Sequence, residues 1–400
     1  MRTGLDRLAR HPDLVDRLRS RRVGLLAHPA SVTLELSHAS DVLASLGVVP
    51  KVLFGPEHGY GGEAQDMVGV PGAVDARTGS PIVSLYGERF DDLSPKPEHL
   101  AALDLLLVDL ADVGSRYYTF VWTALLAVRA AARAGVPVVL LDRPNPLGVR
   151  AADVAGRVVE PGFASFVGLE PVAVRHGLTV GELVALFAAR DGLSLGRDAA
   201  LSIVPCEGAS EAFDPAFPFV LTSPNMPTLA TALVYPGGCL LEGTNLSEGR
   251  GTTKPFEIVG APWLDGRALA EGLGALSLPG VRFRALTFQP TFHKHAQKVS
   301  GGVEVRVTDA AAFRPVATYV ALVALAREQS PERFAFRTER YEYVDDIPAF
   351  DLLTGSAEAR GRIERGEAAG SVASFVDQVA PSFEATRDEA RAAAARASLG

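Results

Sequence analysis

The chain has 400 residues, 48% of them hydrophobic and 22% charged, with 39 glycines and 27 prolines. This is the composition of a globular enzyme of two or three domains at ~150 residues each. Thirty-nine Lys and Arg against 47 Asp and Glu leave a net charge of −8, which disfavours non-specific capture by nucleic acid or an anionic membrane, because both need a basic face. Cys206 and Cys239 are the only cysteines and lack C-x-x-C spacing. They exclude a disulfide framework, a zinc knuckle and a redox pair, and are read as small apolar packing residues.

Between Met1 and Arg22, charges at Arg2, Asp6, Arg7, Arg10, Asp13, Asp16 and Arg17 interrupt any apolar run of the kind a secretory signal needs. A cytoplasmic location is therefore expected. No window approaches the ~18 consecutive apolar residues of a membrane helix.

Next come short, continuous apolar runs at Val23 to Ala27, Val52 to Phe54, Ile82 to Leu85, Leu105 to Leu110 and Val136 to Leu141. Runs without alternation are strands buried on both faces. Helical patterns intervene at Ser40 to Leu46 and at Thr119 to Ala134, the latter ending at Gly135. Alternating strand and helix predicts a parallel sheet with helices on both faces and a ligand crevice beyond the strand carboxyl ends. Thr179 followed by Glu182 is a capping-box signature for a helix reaching about Arg190, and Leu201 to Pro205 is one more strand. From about Asp214 proline and glycine become dense. Helices return at Arg267 to Leu276, at Ala317 to Arg327 and after Ser382, and Val303 to Val307 alternates as an antiparallel strand does. The expected fold is α/β: a Rossmann-like parallel-sheet domain over residues 1–213, and an α+β auxiliary domain over 214–400 that completes a cleft between them.

The loop Gly55-Pro-Glu57-His58-Gly-Tyr-Gly-Gly62 specifies backbone shape and presents Glu57 and His58. Beside a buried strand Glu57 is expected to be partly desolvated, which raises a carboxyl towards the range of a general acid. A solvated turn is the plainer alternative. The loop lacks G-x-G-x-x-G and Walker spacing, which argues against a nucleotide loop. Glu242-Gly-Thr-Asn245-Leu-Ser-Glu248-Gly-Arg250-Gly-Thr-Thr-Lys254 gathers carboxylates, an amide, cations and hydroxyls, as a sugar or anion pocket does, although an Arg–Glu pair bracing the loop would also account for it. Asn225 stands between two prolines that stiffen its backbone. Arg116, Tyr117 and Tyr118, and Asp142, Arg143 and Asn145, follow sheet strands and so point at the same crevice; arginine suits a carboxylate and tyrosine a sugar ring. His293-Lys-His295 has i, i+2 spacing without a third ligand nearby and is read as a polar strand face. No metal or cofactor is expected. No G-x-S-x-G elbow is present, and a hydrolase working through carboxylates fits better than a nucleophilic serine or cysteine.

In order, the motifs G-P-E-H-G-Y-G-G, D-V-G-S-R-Y-Y-T, L-D-R-P-N-P-L-G, S-P-N-M-P-T, V-Y-P-G-G-C-L-L-E-G-T-N-L-S-E-G-R-G-T-T-K-P-F-E and G-A-P-W resemble those of the NamZ-type exo-β-N-acetylmuramidases over nearly the whole chain. The resemblance implies a glycoside hydrolase that releases N-acetylmuramic acid (MurNAc) from the non-reducing ends of peptidoglycan fragments of MurNAc-GlcNAc type, in cell-wall turnover or recycling. It also implies that the catalytic glutamate is Glu57. His28-Pro-Ala-Ser31 departs from the family pattern at the first strand's exit.

On this basis Glu57 is expected to be the general acid/base, oriented by His58, with Glu248 or Glu242 as the second carboxylate. Arg116, Arg143 and Arg250 are candidates for the lactyl carboxylate, and Asn225 and Asn245 for sugar hydroxyls or the N-acetyl group. A metal-dependent hydrolase using His58, His293 and His295, and a non-catalytic muropeptide-binding protein, are the rival readings.

Overall fold

The structure, a computed structural model, describes residues 1–65, 69, 72–208 and 211–400. A seven-stranded sheet organises the first half: β1 (Val23–Leu26), β2 (Val52–Gly55), β3 (Ala73–Val74), β4 (Pro81–Ser84), β5 (Leu105–Val108), β6 (Val138–Leu141) and β7 (Leu201–Val204). The order is β3-β4-β2-β1-β5-β6-β7, and every pairing is parallel except β3 with β4. Strands β1, β2, β5, β6 and β7 are buried at all four positions, as their unbroken apolar runs require. The chain runs outward from β1 through β2 to β4, then crosses back to β5 and outward through β6 to β7. That reversal opens a crevice at the carboxyl ends beside β1.

The helices begin and end where local chemistry dictates. Thr179 caps the helix Val180–Arg190 in a reciprocal box with Glu182. The helix Phe120–Arg133 ends just before Gly135, whose φ of 69° is a conformation glycine adopts without strain.

The second half contains β8 (Ile258–Ala261), β9 (Val281–Phe288) and β10 (Ser300–Val307), an antiparallel sheet ordered β8-β10-β9, packed against helix Gly266–Ala275, which packs in turn on helix Pro315–Gln329. The helix Leu229–Gly238 has no counterpart among the expected elements because Pro236 lies inside it. Gly237 is required there: a Cβ would stand 2.2 Å from the Pro315 carbonyl, where this helix meets its neighbour.

Two features depart from a simple division into halves. One hydrophobic core runs from Phe54 and Val108 in the first sheet through Leu240 and Val259 to Leu352 and Val376. The final helix, Ser382–Ala397, expected with the second unit, packs instead on Val180–Arg190 and on β7, where the Leu399 N–H donates to the Ile203 carbonyl at 2.8 Å.

Candidate active site

A cleft of about 490 Å³ lies where the loops after β2 and β5 meet the second half of the chain. From the first half, its wall includes Glu57, His58, Tyr117, Tyr118 and Thr119; Ser223 and Asn225 come from the connecting segment, and Tyr235, Glu242, Arg250, Tyr341 and Glu342 from beyond it.

Glu57 is 6% exposed, and its Oε2 accepts a 2.8 Å hydrogen bond from the Thr119 hydroxyl. The loop that carries it turns sharply, with the Gly59 N–H donating to the Pro56 carbonyl at 3.0 Å. Gly55 makes that turn possible: a Cβ would lie 2.2 Å from the backbone nitrogen of Tyr60. His58 sits at φ 72°, in the left-handed region that costs a non-glycine residue energy. Its Nδ1 donates to the Ala64 carbonyl at 2.8 Å, so the ring braces the loop and Nε2 is the acceptor in the neutral imidazole.

Across the cleft, Arg250 Nη2 donates to Glu242 Oε1 at 2.6 Å, and the Tyr341 hydroxyl donates to Oε2 at 2.7 Å. Glu342 is 5% exposed and faces the Tyr86 hydroxyl at 3.5 Å. It occupies a two-residue turn closed by reciprocal 3.0 Å bonds between Tyr341 and Val344, with Glu342 at φ 46° and Tyr343 at φ 70°. Turns of this kind favour Asn-Gly, and holding Glu-Tyr there costs about 1–3 kcal/mol per strained residue. Burial, with the charges of Glu57 and Glu342, pushes the Tyr86 phenol far up, and burial, with Glu57, does the same to Tyr118. Both phenols therefore keep their protons and stand as donors beside the acids.

Residues 23–230 match the family described as exo-beta-N-acetylmuramidase NamZ, N-terminal, and residues 233–391 match its C-terminal counterpart. The chain belongs to the NamZ family. It is 40% identical over 391 residues, 97% of this chain and 90% of the relative, to the peptidoglycan beta-N-acetylmuramidase NamZ of Bacillus subtilis (strain 168). A crystal structure of a DUF1343 family protein from Bacteroides fragilis NCTC 9343 superposes with a TM-score of 0.82 at 29% identity, covering 98% of this chain and 97% of that one. A second protein of that description and source, at 24% identity and TM-score 0.72 with 98% of both chains covered, shares the fold.

In this NamZ family member the cleft gathers Glu57, His58, Tyr117, Tyr118, Asn225, Glu242 and Arg250 from the sequence candidates. The remaining candidates lie elsewhere, each for a physical reason. Arg116 is fully buried and donates to the carbonyls of Arg157, Val172 and Leu353, so it ties backbone segments together and meets no ligand. Arg143 grips both oxygens of Asp109 and the Val32 carbonyl. Asp142 accepts from Gly181 N–H at 2.7 Å and from the Thr179 hydroxyl at 2.8 Å, anchoring a helix start; burial is the larger effect and pushes its carboxyl up to about 6. Asn145 spans Leu178 O and Leu147 N–H, and Asn245 spans Arg333 O and Ala335 N–H.

Glu248 is the largest correction. It is completely buried, with Lys294 Nζ at 3.0 Å, His293 Nδ1 at 3.1 Å and Arg250 Nε at 3.4 Å. Burial pushes its carboxyl up, but Lys294, His293 and Arg250 together override this and hold it well below the usual carboxylate range. It is a fixed anion behind the cleft wall. His293 and His295 occupy the loop between β9 and β10, not a strand, and diverge: His295 Nε2 donates to the Asn245 carbonyl at 2.7 Å. His58 is hydrogen bonded to its own loop, so a direct orienting bond to Glu57 is replaced by the Thr119 hydroxyl.

Sequence reasoning missed Glu342, Tyr341 and Tyr86. Tyr86-Gly-Glu follows a predicted strand and is visible as a strand exit. Nothing in Tyr341-Glu-Tyr-Val344 announces a tight turn.

Proposed function

We propose that this cleft removes a terminal N-acetylmuramic acid from peptidoglycan fragments of MurNAc-GlcNAc type, with Glu57 giving its proton to the glycosidic oxygen. Exo-acting glycoside hydrolysis is the activity of the family to which the chain belongs. One observation supports the assignment of the site most: Glu57 and Glu342, contributed by opposite halves of the chain, line one cleft together with Arg250.

Glycosidases use two carboxyl groups, one to protonate the leaving oxygen and one to act on the anomeric carbon or a water. Glu57 takes the first role. Thr119 holds it in orientation, and the phenols of Tyr86 and Tyr118 sit within electrostatic reach of it. Glu342 is the second carboxyl, because Glu242 is fixed by Arg250 and Tyr341 and Glu248 lies outside the cleft wall. Arg250 is the one arginine or lysine among the described residues of the wall, so it is the group to meet the lactyl carboxylate. Asn225, held by a 2.8 Å bond to Gln65, offers its carbonyl oxygen to a sugar hydroxyl or to the N-acetyl N–H.

The test is Glu57→Gln assayed on a MurNAc-GlcNAc disaccharide. Activity within a few-fold of wild type removes Glu57 from the mechanism. For the lactyl contact, Arg250→Ala is expected to erase the preference for MurNAc over GlcNAc at the non-reducing end, and an unchanged preference excludes it.

A further inference from the structure

The cleft wall poses an electrostatic difficulty for an anionic sugar. Glu57, Glu242 and Glu342 line it, and Arg250 is its one guanidinium among the described residues. That guanidinium already donates from Nη2 to Glu242. Behind the wall Glu248 adds another carboxylate, with Oε1 3.4 Å from Arg250 Nε. Arg250 is thus gripped at two corners of its planar fork, and it lies over the Phe256 ring at 5.3 Å. Two carboxylates around one guanidinium hold it in place, but they also outweigh its charge and leave it a poor partner for a third carboxylate.

The balancing charge comes from the loop between β9 and β10, residues 289–299, which carries His293-Lys-His295. Lys294 Nζ stands 3.0 Å from Glu248 Oε2 and donates to the carbonyls of Leu241 at 2.9 Å and Leu246 at 3.2 Å, so its three donors face three acceptors. The rest of this loop is bound to the loop that bears Arg250. The Thr291 N–H and hydroxyl both donate to the Gly251 carbonyl at 2.9 Å, and His295 Nε2 donates to the Asn245 carbonyl. Gly251, at φ 77°, permits the approach: a Cβ there would stand 2.7 Å from the Phe292 backbone nitrogen. His293, His295 and Gln297 lie at φ 68°, 58° and 60°. Left-handed backbone at non-glycine residues persists only where the surroundings enforce it, and it collects at functional sites.

We propose that Lys294 determines the preference of the cleft for an anionic sugar: Glu248 orients Arg250, and Lys294 offsets Glu248, so that the guanidinium keeps its charge for the lactyl carboxylate. The inference rests on the reading of Arg250 given above. Lys294 is not on the cleft wall, so it acts through its neighbours and is a positioning residue. With it, Glu242, Glu248, Arg250 and Lys294 carry two negative and two positive charges; without it, one negative charge is in excess beside the place the substrate's carboxylate must occupy. His293 Nδ1, 3.1 Å from Glu248 Oε1, completes the enclosure of that anion. A loop brace alone would need the two carbonyl contacts of Lys294 and not its charge, and this separates the two roles.

The experiment measures the dissociation constants of MurNAc and of GlcNAc, which lacks the lactyl group, by titration calorimetry in wild type, Lys294→Met, Glu248→Gln and the double variant, each checked for folding by circular dichroism. The preference for MurNAc is expected to fall ~10-fold in Lys294→Met and to rise several-fold in Glu248→Gln, whose amide oxygen still accepts from Arg250 Nε. In the double variant the charges balance again, and the preference is expected to return to within about two-fold of wild type. GlcNAc binding should be the same in all folded forms. If Lys294→Met fails to fold, the opposite shift in Glu248→Gln and its cancellation in the double variant still decide the matter. A wild type that prefers MurNAc, with variants that leave the preference unchanged or all lower it, overturns the role of Lys294 alone. A wild type that binds the two sugars equally overturns the reading of Arg250, and this inference with it.

Discussion

Two glycine-rich, charge-bearing loops meet near the cleft, and they treat their charges in opposite ways. The loop from Gly55 to Gly62 is sparing: it brings Glu57 to the cleft wall, where the Thr119 hydroxyl from the loop after β5 donates to it. The loop from Glu242 to Lys254 is dense, and it answers its charges inside the protein. Glu248 is enclosed by Lys294, His293 and Arg250, Glu242 is bound by Arg250 and Tyr341, and Lys254 reaches Glu304 at 2.7 Å. Charge density along a sequence therefore does not locate a catalytic group. The acid proposed for catalysis is instead a buried one on the cleft wall, and a carboxylate already matched by several cations stays ionised and has little to offer a leaving group.

The contrast breaks most sharply at Glu57. Glu57→Gln is expected to lower kcat ~10³-fold with the melting temperature little changed; steady-state kinetics beside thermal unfolding separates the two. Glu248→Gln should do the reverse. It takes the carboxylate from partly buried Lys294 and leaves Arg250 with Glu242 alone, and is expected to cost ~3 kcal/mol of stability by denaturant titration, so a variant as stable as wild type would mean that the cluster is not held as described. Because ionised Glu248 is favoured in the folded chain, its stabilisation is present above the ordinary carboxylate range and is lost only when pH falls below it, through the depressed folded value. Glu342→Gln is expected to lower kcat ~10²-fold, and restoration of turnover by added azide or formate would mark it as the group that meets the anomeric carbon.

A subtler case is Asp142, whose carboxyl burial raises to about 6 in the folded chain. Its protonated form is favoured by folding, so its contribution is fully present at pH below the unfolded carboxylate value and is lost as pH rises through about 6. Asp142→Asn cannot ionise, and its stability relative to wild type should climb between pH ~4 and ~7, by ~3 kcal/mol at most; melting curves across that range show whether it does. Smallest of all, Asn245→Ala removes two backbone contacts remote from the cleft wall and is expected to cost ~1 kcal/mol with kcat/KM unchanged.

Much of the first sheet is legible in the residues alone, because strands such as Leu105–Val108 and Val138–Leu141 are buried on both faces and tolerate no polar residue. The Thr179–Glu182 box marks a helix start through a local hydrogen-bond pair, which needs no tertiary information. The helix Leu229–Gly238 is illegible for the opposite reason: Pro236, Gly237 and Gly238 read as a break, and only the close approach of Pro315 and Tyr319 explains them. Within the site, Glu57 is legible from its enforced loop. Arg116 misleads, since a sequence cannot show that a guanidinium will turn inward to three carbonyls. Glu342 escapes because its signal is backbone strain, and strain has no letter in the sequence.

The return of the last helix to the first sheet bears on how the protein is made. The outer edge of β7 is paired at Leu201 by the preceding segment, through Leu195 and Gly196, but at Ile203 it is met by Ser398 and Leu399, the last residues to be translated. The Ile203 end of that edge therefore stays uncovered for as long as it takes to synthesise everything from Pro205 onward, and exposed edges invite pairing with other chains. For this protein, slow elongation or a premature stop in the second half is a hazard to the first.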